Sequence, residues 1–539
     1  MCVNFLLYID KSKNAMQATS DAHGSPLPAS VTDVAFSTVE AILRGAESGG
    51  SLHEKLPSLG LEAAVATNFA SAARRLLASG VSPKARATAF WVPGRVEVMG
   101  KHTDYCAGRS LLCAVNRGFA VVSAERGDAT CRVLATFELS GAEDEAIIPL
   151  SPSATSAGVA SLPDGWARYP AVTARRLQRN FGLSLGVDLS LSCDLPEASG
   201  MSSSSAVICL TFLALAARNG LAQNATFAEA LPTAEELCHY LGCIENGQSC
   251  GTLLPGDAGV GTFGGSEDHT AIMLCNPGEL RRYAFCPTRL EAAIPFPPDL
   301  CMLIAVSGAI AQKGAERLRD YNDAALMARW AAAAASVERD SPCTSSPSAA
   351  HECAAAVAAA EAPPSTLAAV VAAEAVRLGL PPSDASVRLA VAERILAKDD
   401  GAFVADGSVP KGALSRRFEQ FYAESEELVP AVADAFARGI PSALGVLVDR
   451  SQALTQSHLR NTLEETEWLP AAARRLGALA ASAFGAGFGG SVWAVAPIDT
   501  AETLLRNWER EYAQRFPDRV PTSRFFLMRS PAPGARSVL

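Results

Sequence analysis

Three short stretches of the sequence gather side chains that can bind and activate an alcohol or a phosphate. The first, GKHTDYCAGRS at 100–110, places Lys101, His102 and Asp104 within four residues, although the chain of 539 residues has only seven histidines. A cation, an imidazole and a carboxylate this close together offer donors and acceptors to several hydroxyl groups of one ligand. The stretch is therefore a candidate site for a polyhydroxylated ligand, with a solvated polar loop as the structural alternative.

The second stretch, PEASGMSSSS at 196–205, follows an alternating segment and precedes an apolar one. The alternation over 181–195 predicts a strand with one buried face, and AVICLTFLALAARNG predicts a helix that ends at Gly220. Backbone N–H groups and serine hydroxyls in front of such a helix point to one place, as a phosphate requires. One serine is enough for a helix cap, so four in a row favour anion binding over capping.

The third stretch, GTFGGSEDHTAIML at 261–274, places two carboxylates and a histidine between a glycine-rich loop and an apolar segment. Glu267 or Asp268 can accept or orient a hydroxyl proton, which phosphoryl transfer from ATP to an alcohol requires. Acidic residues at the start of a helix also interact favourably with its dipole. This stretch alone leaves both readings open.

The standard nucleotide and hydrolase motifs are missing from their proper setting. The chain has neither GxxxxGK[ST] nor GxSxG, and Gly485, Gly487 and Gly490, which satisfy GxGxxG, precede the apolar segment SVWAVA instead of following a strand. A dinucleotide site needs the glycines after a strand and before a helix. A dinucleotide site and a serine-hydrolase nucleophile are therefore disfavoured.

Length, net charge and the apolar stretches exclude further classes of protein. The chain is long enough for two or more domains, and its net charge of −10 gives no reason to expect nucleic acid. The longest apolar stretch, 206–217, is too short to span a membrane, and the N-terminal MCVNFLLYIDKSK lacks the features of a signal peptide. We therefore expect a cytoplasmic protein that contacts neither a membrane nor nucleic acid.

The fourteen cysteines include no CxxC pair, and the closest grouping is Cys238, Cys243 and Cys250, with His239 beside it. Scattered cysteines without metal-site spacing are typical of reduced thiols in a cytosolic protein. We therefore interpret this grouping as buried or incidental thiols rather than a zinc site.

Changes in composition divide the chain into successive regions. Residues 1–30 are predicted to be a disordered tail, and 31–85 to be a helical segment with a helix stop at Gly80. The Ala-, Ser- and Pro-rich stretch from Trp330 to Thr366 is predicted to be an insert that is at most partly helical. Further helical patterns continue to Leu479.

Taken together and in this order, the stretches resemble the GHMP kinases, and within them the galactokinases. PGRVEVMGKHTDYCAGRSL at 93–111 resembles the galactokinase signature, LPEASGMSSSSAV at 195–207 is similar to the ATP-phosphate loop, and FGAGFGGSVWAV at 484–495 resembles the third, glycine-rich motif. Weaker similarities surround Trp166 and Tyr321. The resemblance covers most of 88–539.

The resemblance implies a two-domain α+β fold, with an N-terminal domain like ribosomal protein S5 over 86–300 and a ferredoxin-like α+β domain over 301–539. It implies ATP and Mg²⁺, transfer of the γ-phosphoryl group to the anomeric hydroxyl of a galactose-type sugar, and a monomer. Arg95 would lie beside the transferred phosphoryl group, and Asp268 would handle the O1 proton. The residues implied in ATP binding are Trp166, Gly200, Ser202, Ser203 and Ser204, with Ser204 also near the metal.

For the sugar, the resemblance implies binding by His102 and Asp104, a backbone contact from Gly265 and a lining tyrosine, Tyr321. The position of Lys101 departs from the family, in which a glutamate accepts a hydrogen bond from the sugar's O6 hydroxyl. An ammonium has only donors, so Lys101 suits a C6 carboxylate and suggests a uronic-acid 1-kinase such as a galacturonokinase. The alternative is that Lys101 turns to solvent and another group binds O6. Glu97, where galactokinases have asparagine, is a smaller departure.

Two other classes remain as alternatives. Some galactokinase relatives are catalytically inactive proteins that bind sugar and ATP to regulate transcription, but such proteins tend to lose the phosphate loop or the base. This chain keeps Arg95, the serine run and Asp268. A mevalonate or homoserine kinase is the other alternative, which the His-Thr-Asp-Tyr run disfavours because it is a feature of the sugar kinases.

Overall fold

The computed structural model describes residues 24–136, 143–150, 162–197, 199–309, 315–336, 366–399 and 409–539. Its strands are β1 Ser37–Thr38, β2 Arg86–Met99, β3 Arg109–Glu125, β4 Thr130–Thr136, β5 Glu143–Pro149, β6 Val187–Cys193, β7 Glu279–Ala284, β8 Arg289–Pro295, β9 Leu300–Val306, β10 Ala480–Phe484, β11 Ser491–Pro497, β12 Arg524–Met528 and β13 Arg536–Ser537.

The helices of the first half are α1 Ala29–Thr32, α2 Val39–Ala46, α3 Ser51–Ser58, α4 Ala66–Ala78, α5 Arg168–Phe181, α6 Ser203–Arg218, α7 Ala225–Ala230, α8 Ala234–Asn246 and α9 Glu267–Leu274. Those of the second half are α10 Ala315–Ser336, α11 Leu367–Leu378, α12 Ala385–Leu396, α13 Ala413–Tyr422, α14 Val429–Ala437, α15 Leu444–Leu454, α16 Glu464–Arg475 and α17 Ile498–Arg515. A π-helical segment, Ala423–Leu428, joins α13 to α14.

The first sheet is built on two long antiparallel strands, β2 and β3, and runs in the order β1-β2-β3-β6-β4-β5. Strand β13 also pairs with β2, and β7 pairs with both β3 and β8. The β2–β3 register shifts between Pro93 and Arg95 and again between Glu97 and Met99. Such irregularities redirect side chains next to functional sites, and here they flank the two charged residues of β2 that reach the candidate site.

Strand β6 falls inside the segment predicted from its alternation, but the prediction of one buried face is wrong. Both Asp188 and Ser190, on the polar side of the alternation, are buried. Helix α4 covers that side, and Arg75 on α4 donates to the Leu191 carbonyl at 2.7 Å. Asp188 in turn accepts hydrogen bonds from two arginines. Paired polar groups therefore occupy a face that the sequence assigned to solvent.

The second sheet is fully antiparallel, in the order β10-β11-β9-β12. Helices α16 and α17 pack on one of its faces and form a separate apolar core with Trp508 and Tyr512. Side chains of its other face, including Trp493, join the main core beneath the first sheet. The architecture is therefore two sheets, each covered by helices. The chain passes from the first sheet to the second between β8 and β9 and returns to the first sheet with β13.

Helices α10 to α13 form a further apolar cluster beside the loop at 100–108. Residues 330–336, predicted as the start of the insert, are the last turns of α10, where Ala331 and Ala332 are fully buried. The rest of that prediction, 337–365, lies outside the described residues, as do residues 1–23 of the predicted tail. Ser25 is held by two hydrogen bonds to Glu235. None of the helices that the structure describes is long and apolar enough to cross a membrane.

Candidate active site

One cavity lies where β2, the N-termini of α6 and α9 and the β10–β11 turn meet. Nine of the residues singled out in the sequence line it: Arg95, Glu97, His102, Asp104, Gly265, Glu267, Asp268, Tyr321 and Gly485. They come from four separate stretches of the chain, which the fold brings to one place. The other predicted site residues are not among the lining residues: Lys101, Trp166, Gly200, Ser202, Ser203 and Ser204.

Arg95 and Asp268 form an ion pair in the wall of this cavity. Arg95 Nε donates to Asp268 Oδ1 at 2.7 Å, and its Nη1 donates to the carbonyl of Gly200 in the serine loop. Burial raises the pKa of the Asp268 carboxyl, but the charge of Arg95 and hydrogen bonds from Ser202 and Arg95 outweigh it, so the pKa lies below the ordinary value. Asp268 is therefore a carboxylate at neutral pH, next to a fixed cation.

The serine run opens helix α6 without capping it through a side chain. Ser202 is the N-cap residue and adopts a left-handed conformation, φ +60°, but its hydroxyl makes no capping hydrogen bond and instead reaches Asp268. Ser203 and Ser204 are the first two helical residues. Simple capping therefore does not account for this run, and the N-terminus of a sixteen-residue helix faces the Arg95–Asp268 pair.

The glycine-rich turn between β10 and β11 packs directly against the serine loop. A Cβ on Gly485 would lie 2.8 Å from the carbonyl oxygen of Gly200, and Gly485 has φ +83°. Ser491 Oγ donates to the Ser199 carbonyl at 2.6 Å. The third motif thus holds the serine loop in place through backbone contacts that a larger residue would block.

The loop at 100–108 brings His102 and Asp104 to the cavity. Asp104 Oδ2 accepts a hydrogen bond from the Glu267 N–H at 3.3 Å and lies against Gly265, and burial raises its pKa to about 6. Both ring nitrogens of His102 contact protein groups, Nδ1 the Tyr105 hydroxyl at 2.7 Å and Nε2 the Ala486 carbonyl at 3.3 Å. A ligand hydroxyl would have to share or replace one of these contacts.

The charge state of His102 follows from its surroundings. Burial and the nearby charge of Arg417 lower its pKa to about 4, so the imidazole is neutral at pH 7. Arg417 on α13 also donates to the His102 carbonyl, and Gln420 donates to the Lys101 carbonyl at 2.9 Å. Helix α13 therefore fixes the backbone of this loop, which includes His102 at φ +58°.

The structure corrects both predictions made for the Lys101 side chain. It is only 2% exposed, and its Nζ donates to Ser451 Oγ at 2.9 Å and to Ser482 Oγ at 2.7 Å, outside the cavity lining. Ser451 in turn donates to the buried Glu424, which also accepts from the Gly100 N–H at 2.9 Å. The ammonium therefore neither turns to solvent nor lines the cavity, because a buried network across the two halves of the fold holds it.

The side chain of Glu97 lines the cavity, where the sequence analysis had expected the side chain of Lys101. It is 3% exposed and lines the cavity, with Oε2 3.4 Å from the Gly485 nitrogen that donates to it. Its Oε1 is buried and has no hydrogen-bond partner among the described residues. Burial raises the pKa of this carboxyl to about 7 against the opposing charges of Arg95 and Lys101. A buried acceptor without a partner marks a place where a ligand donor belongs.

Trp166, expected in ATP binding, lies in a short turn before α5 and donates its indole N–H to Asp144 at 2.8 Å. Its part in ATP binding stays a prediction. Glu245, at the end of α8, was missed: its Oε2 accepts from Ser205 Oγ at 2.8 Å and lies 3.1 Å from His269 Nε2. No local sequence motif marks Glu245, since only the packing of α8 against α6 and α9 brings it to the cavity.

Comparisons with known proteins find related sequences and domains along the chain. The galactokinase galactose-binding signature matches residues 81–125, the N-terminal domain of the GHMP kinases matches 168–265, and their C-terminal domain matches 432–514. The chain is 34% identical over 122 residues to the galactokinase of Actinobacillus pleuropneumoniae serotype 5b and 31% identical over 120 residues to that of Bacillus subtilis. Each match covers 22% of this chain and 29% of the relative, so the chain aligns with less than a third of either relative's length.

The fold extends the similarity beyond the aligned region. The crystal structure of Lactococcus lactis galactokinase complexed with galactose superposes with a TM-score of 0.60, covering 86% of this chain and 98% of that one at 18% identity. At this identity the likeness concerns the fold, and it confirms the two-domain α+β architecture expected from the sequence. The signature near the start, the two domains and the shared fold together show that the chain belongs to the GHMP kinases and is galactokinase-like.

Proposed function

We propose that the protein transfers the γ-phosphoryl group of ATP to the anomeric hydroxyl of a galactose-type sugar, giving a sugar 1-phosphate and ADP. The observation that carries the proposal is the Arg95–Asp268 pair, held 2.7 Å apart at the N-terminus of α6. Phosphoryl transfer needs a positioned alcohol, a cation beside the transferred group and donors for the phosphate oxygens. The cavity wall offers the cation and a carboxylate that could position the alcohol, and the start of α6 beside it offers the donors.

Each group has a distinct part in the proposed reaction. Backbone N–H groups at the start of α6 and the hydroxyls of Ser203 and Ser204 would bind the phosphates of ATP, since a helix N-terminus favours anions. The Ser202 hydroxyl, which donates to Asp268, would have to leave that carboxylate to join them. Asp268 would accept a hydrogen bond from the attacking hydroxyl and then take its proton. Arg95 keeps Asp268 ionised and lies where charge develops on the transferred group.

Oxygen atoms in and beside the cavity fit a magnesium ion: the Glu245 carboxylate, which lines it, and the Ser204 hydroxyl at the start of α6. Mg²⁺ prefers carboxylate and hydroxyl oxygens and commonly uses one or two carboxylates together with substrate phosphates. Glu245, which accepts from Ser205 Oγ and lies beside the serine loop, is a second candidate ligand alongside Ser204. When bound, the ion would neutralise charge on the phosphates of ATP.

The charges of the cavity favour a neutral sugar over a uronate. Five carboxyl groups line it: those of Glu97, Asp104, Glu245, Glu267 and Asp268. Arg95 is the one lysine or arginine among the described lining residues, and it is already bonded to Asp268 and the Gly200 carbonyl. Burial raises the pKa of Glu97, Asp104 and Glu267, whereas Asp268 is ionised. A uronate carboxylate would meet the charge of Asp268 without finding a free cation, whereas sugar hydroxyls can donate to the ionised carboxyls and accept from the protonated ones.

We further infer that Glu97, rather than residue 101, accepts a hydrogen bond from a sugar hydroxyl. Its Oε1 is buried in the cavity without a hydrogen-bond partner among the described residues, as is His269 Nδ1. A hydroxyl donor would remove the cost of leaving Oε1 unpaired. Lys101, a few residues away, helps to hold Glu97 partly ionised through its charge. In this proposal Lys101 supports the carboxylate instead of contacting the ligand.

Coupled ADP release with Mg·ATP tests the proposal across galactose, galacturonate, glucuronate, glucose, L-arabinose and N-acetylgalactosamine. We expect turnover with galactose and at least about a hundredfold lower kcat/KM with either uronate, because an unpaired charge in the cavity is costly. Preference for a uronate would overturn the charge argument. Sugar and ATP binding by thermal shift without turnover would instead support a regulatory protein.

A further inference from the structure

A second cluster of ligand-type side chains lies away from the proposed active site. His239 and Cys243 on α8 and Cys250 in the following turn bring one imidazole nitrogen and two sulfurs within 4.8 Å of one another. We propose that these three side chains, the His239–Cys243–Cys250 cluster, bind one zinc ion. The two cysteines are buried and His239 is half-buried, which leaves one side open for water as the fourth ligand.

The backbone explains why these three residues meet. His239 and Cys243 are four residues apart on α8, so their side chains lie on the same face of the helix. Gly247 ends α8 in a left-handed conformation, and the Cys250 N–H donates to the Leu254 carbonyl at 2.9 Å, which turns the chain back toward the helix. The cluster is thus built by a helix face and a closed turn.

The structure changes the grouping that the sequence suggested. Cys238 was placed with Cys243 and Cys250, but its sulfur is not among the three ligand atoms that lie within 4.8 Å of one another. His239, its neighbour in the sequence, takes that place, one helical turn before Cys243 on α8. Two thiols and an imidazole are soft and borderline donors, a set that selects zinc over magnesium or calcium.

The distances between the three ligand atoms are close to those around a bound zinc ion. Cys243 Sγ lies 3.7 Å from His239 Nε2 and 3.6 Å from the Ser249 carbonyl oxygen that it contacts. Tetrahedral zinc, with bonds of about 2.0–2.3 Å, places ligand atoms about 3.5–3.8 Å apart. A closure of about 1 Å across the widest separation would therefore complete the site, which side-chain rotation can supply.

A zinc ion here would tie the turn at 247–254 to the last two turns of α8. Those turns also carry Glu245, which accepts from Ser205, and Asn246, whose side chain donates to the Gly264 carbonyl at 3.0 Å. The site would therefore stabilise the end of the helix that supports the wall of the cavity. This inference does not depend on the proposed kinase activity.

Metal titration of the full-length protein tests the inference. After chelator treatment and reduction, we expect one equivalent of Co²⁺ to bind with a thiolate-to-cobalt charge-transfer band, and one equivalent of Zn²⁺ to displace it and raise the Tm. Cys243→Ser and His239→Ala should each lower the affinity for zinc at least about a hundredfold. This loss is larger than the one expected when a residue that only hydrogen-bonds to a metal ligand is replaced. Cys238→Ala, which removes a thiol of the same helix outside the cluster, should keep wild-type binding.

Several results would overturn the inference. Equal metal uptake by the wild type and Cys243→Ser would assign the binding to other cysteines among the fourteen. A Cys243–Cys250 disulfide found by mass spectrometry in the protein as purified without reductant would make the pair a redox element instead. Because His239 is half-buried, His239→Ala should fold even if Cys243→Ser does not, and its circular dichroism spectrum checks this. Unchanged zinc affinity in a folded His239→Ala would exclude the site.

Discussion

Replacing Lys101 with methionine should destabilise the protein without changing which sugar it uses. The substitution keeps an unbranched side chain of similar length but removes the charge that Ser451 and Ser482 accept from, at 2.9 Å and 2.7 Å. The fully buried Glu424 accepts from Ser451, so the substitution would remove the Lys101 cation from its network. Removing one partner of a buried charged network costs about 3–5 kcal/mol.

The loss should appear as a fall in Tm of roughly 6–20 °C by calorimetry, at about 2–4 °C per kcal/mol for a domain of this size. Lys84→Met, at an exposed lysine, is the matched control and should leave the Tm nearly unchanged. Adding Glu424→Gln to Lys101→Met should recover part of the loss, because the uncompensated carboxylate is then gone. A Lys101→Met variant with wild-type Tm but a changed ratio of galactose to galacturonate turnover would refute this account and return Lys101 to the ligand site.

Two further predictions concern the cavity wall. Burial raises the pKa of Glu97 from 4.5 to about 7, so the contribution of this carboxyl to stability falls as the pH rises from about 5 through 7. Glu97→Gln should therefore become increasingly more stable than the wild type toward pH 8 in thermal melts, and it should have a higher KM for the sugar. A stability difference between the two proteins that does not depend on pH would contradict this. Gly485→Ala should raise the KM for ATP several-fold, because its Cβ would lie 2.8 Å from the Gly200 carbonyl oxygen. Gly439→Ala, at a left-handed glycine with open space around it, is the control, and equal effects of the two would rule out the contact as the cause.

The sequence was most informative where a residue's function depends on its neighbours in the chain. The serine run, the loop at 100–108 and the segment at 261–274 each carry a local pattern, and the fold places residues of all three around one cavity. The apolar helix after the serines runs from Ser203 to Arg218, close to the predicted end at Gly220. Local patterns of this kind survive in the sequence because turns and helix starts need particular residues.

The sequence failed where the outcome depends on distant partners. Nothing near Lys101 shows that Ser451, Ser482 and Glu424, more than 300 residues away, form a buried network around it. The same holds for Glu97, a minor departure in the sequence whose carboxylate lies in the cavity. Tertiary packing, rather than residue type, decided which of these two side chains lines the cavity.

The most direct test of the central claim is the position of the phosphate in the product. Wild-type protein with Mg·ATP and galactose should give a product whose phosphorus couples to the anomeric proton in ¹H–³¹P NMR. Asp268→Asn should form this product at least about a hundredfold more slowly, the usual contribution of a positioned base, while binding ATP with nearly unchanged affinity by calorimetry. Phosphorus on another carbon, or a near-wild-type rate in Asp268→Asn, would contradict the assignment of a sugar 1-kinase that works through Asp268.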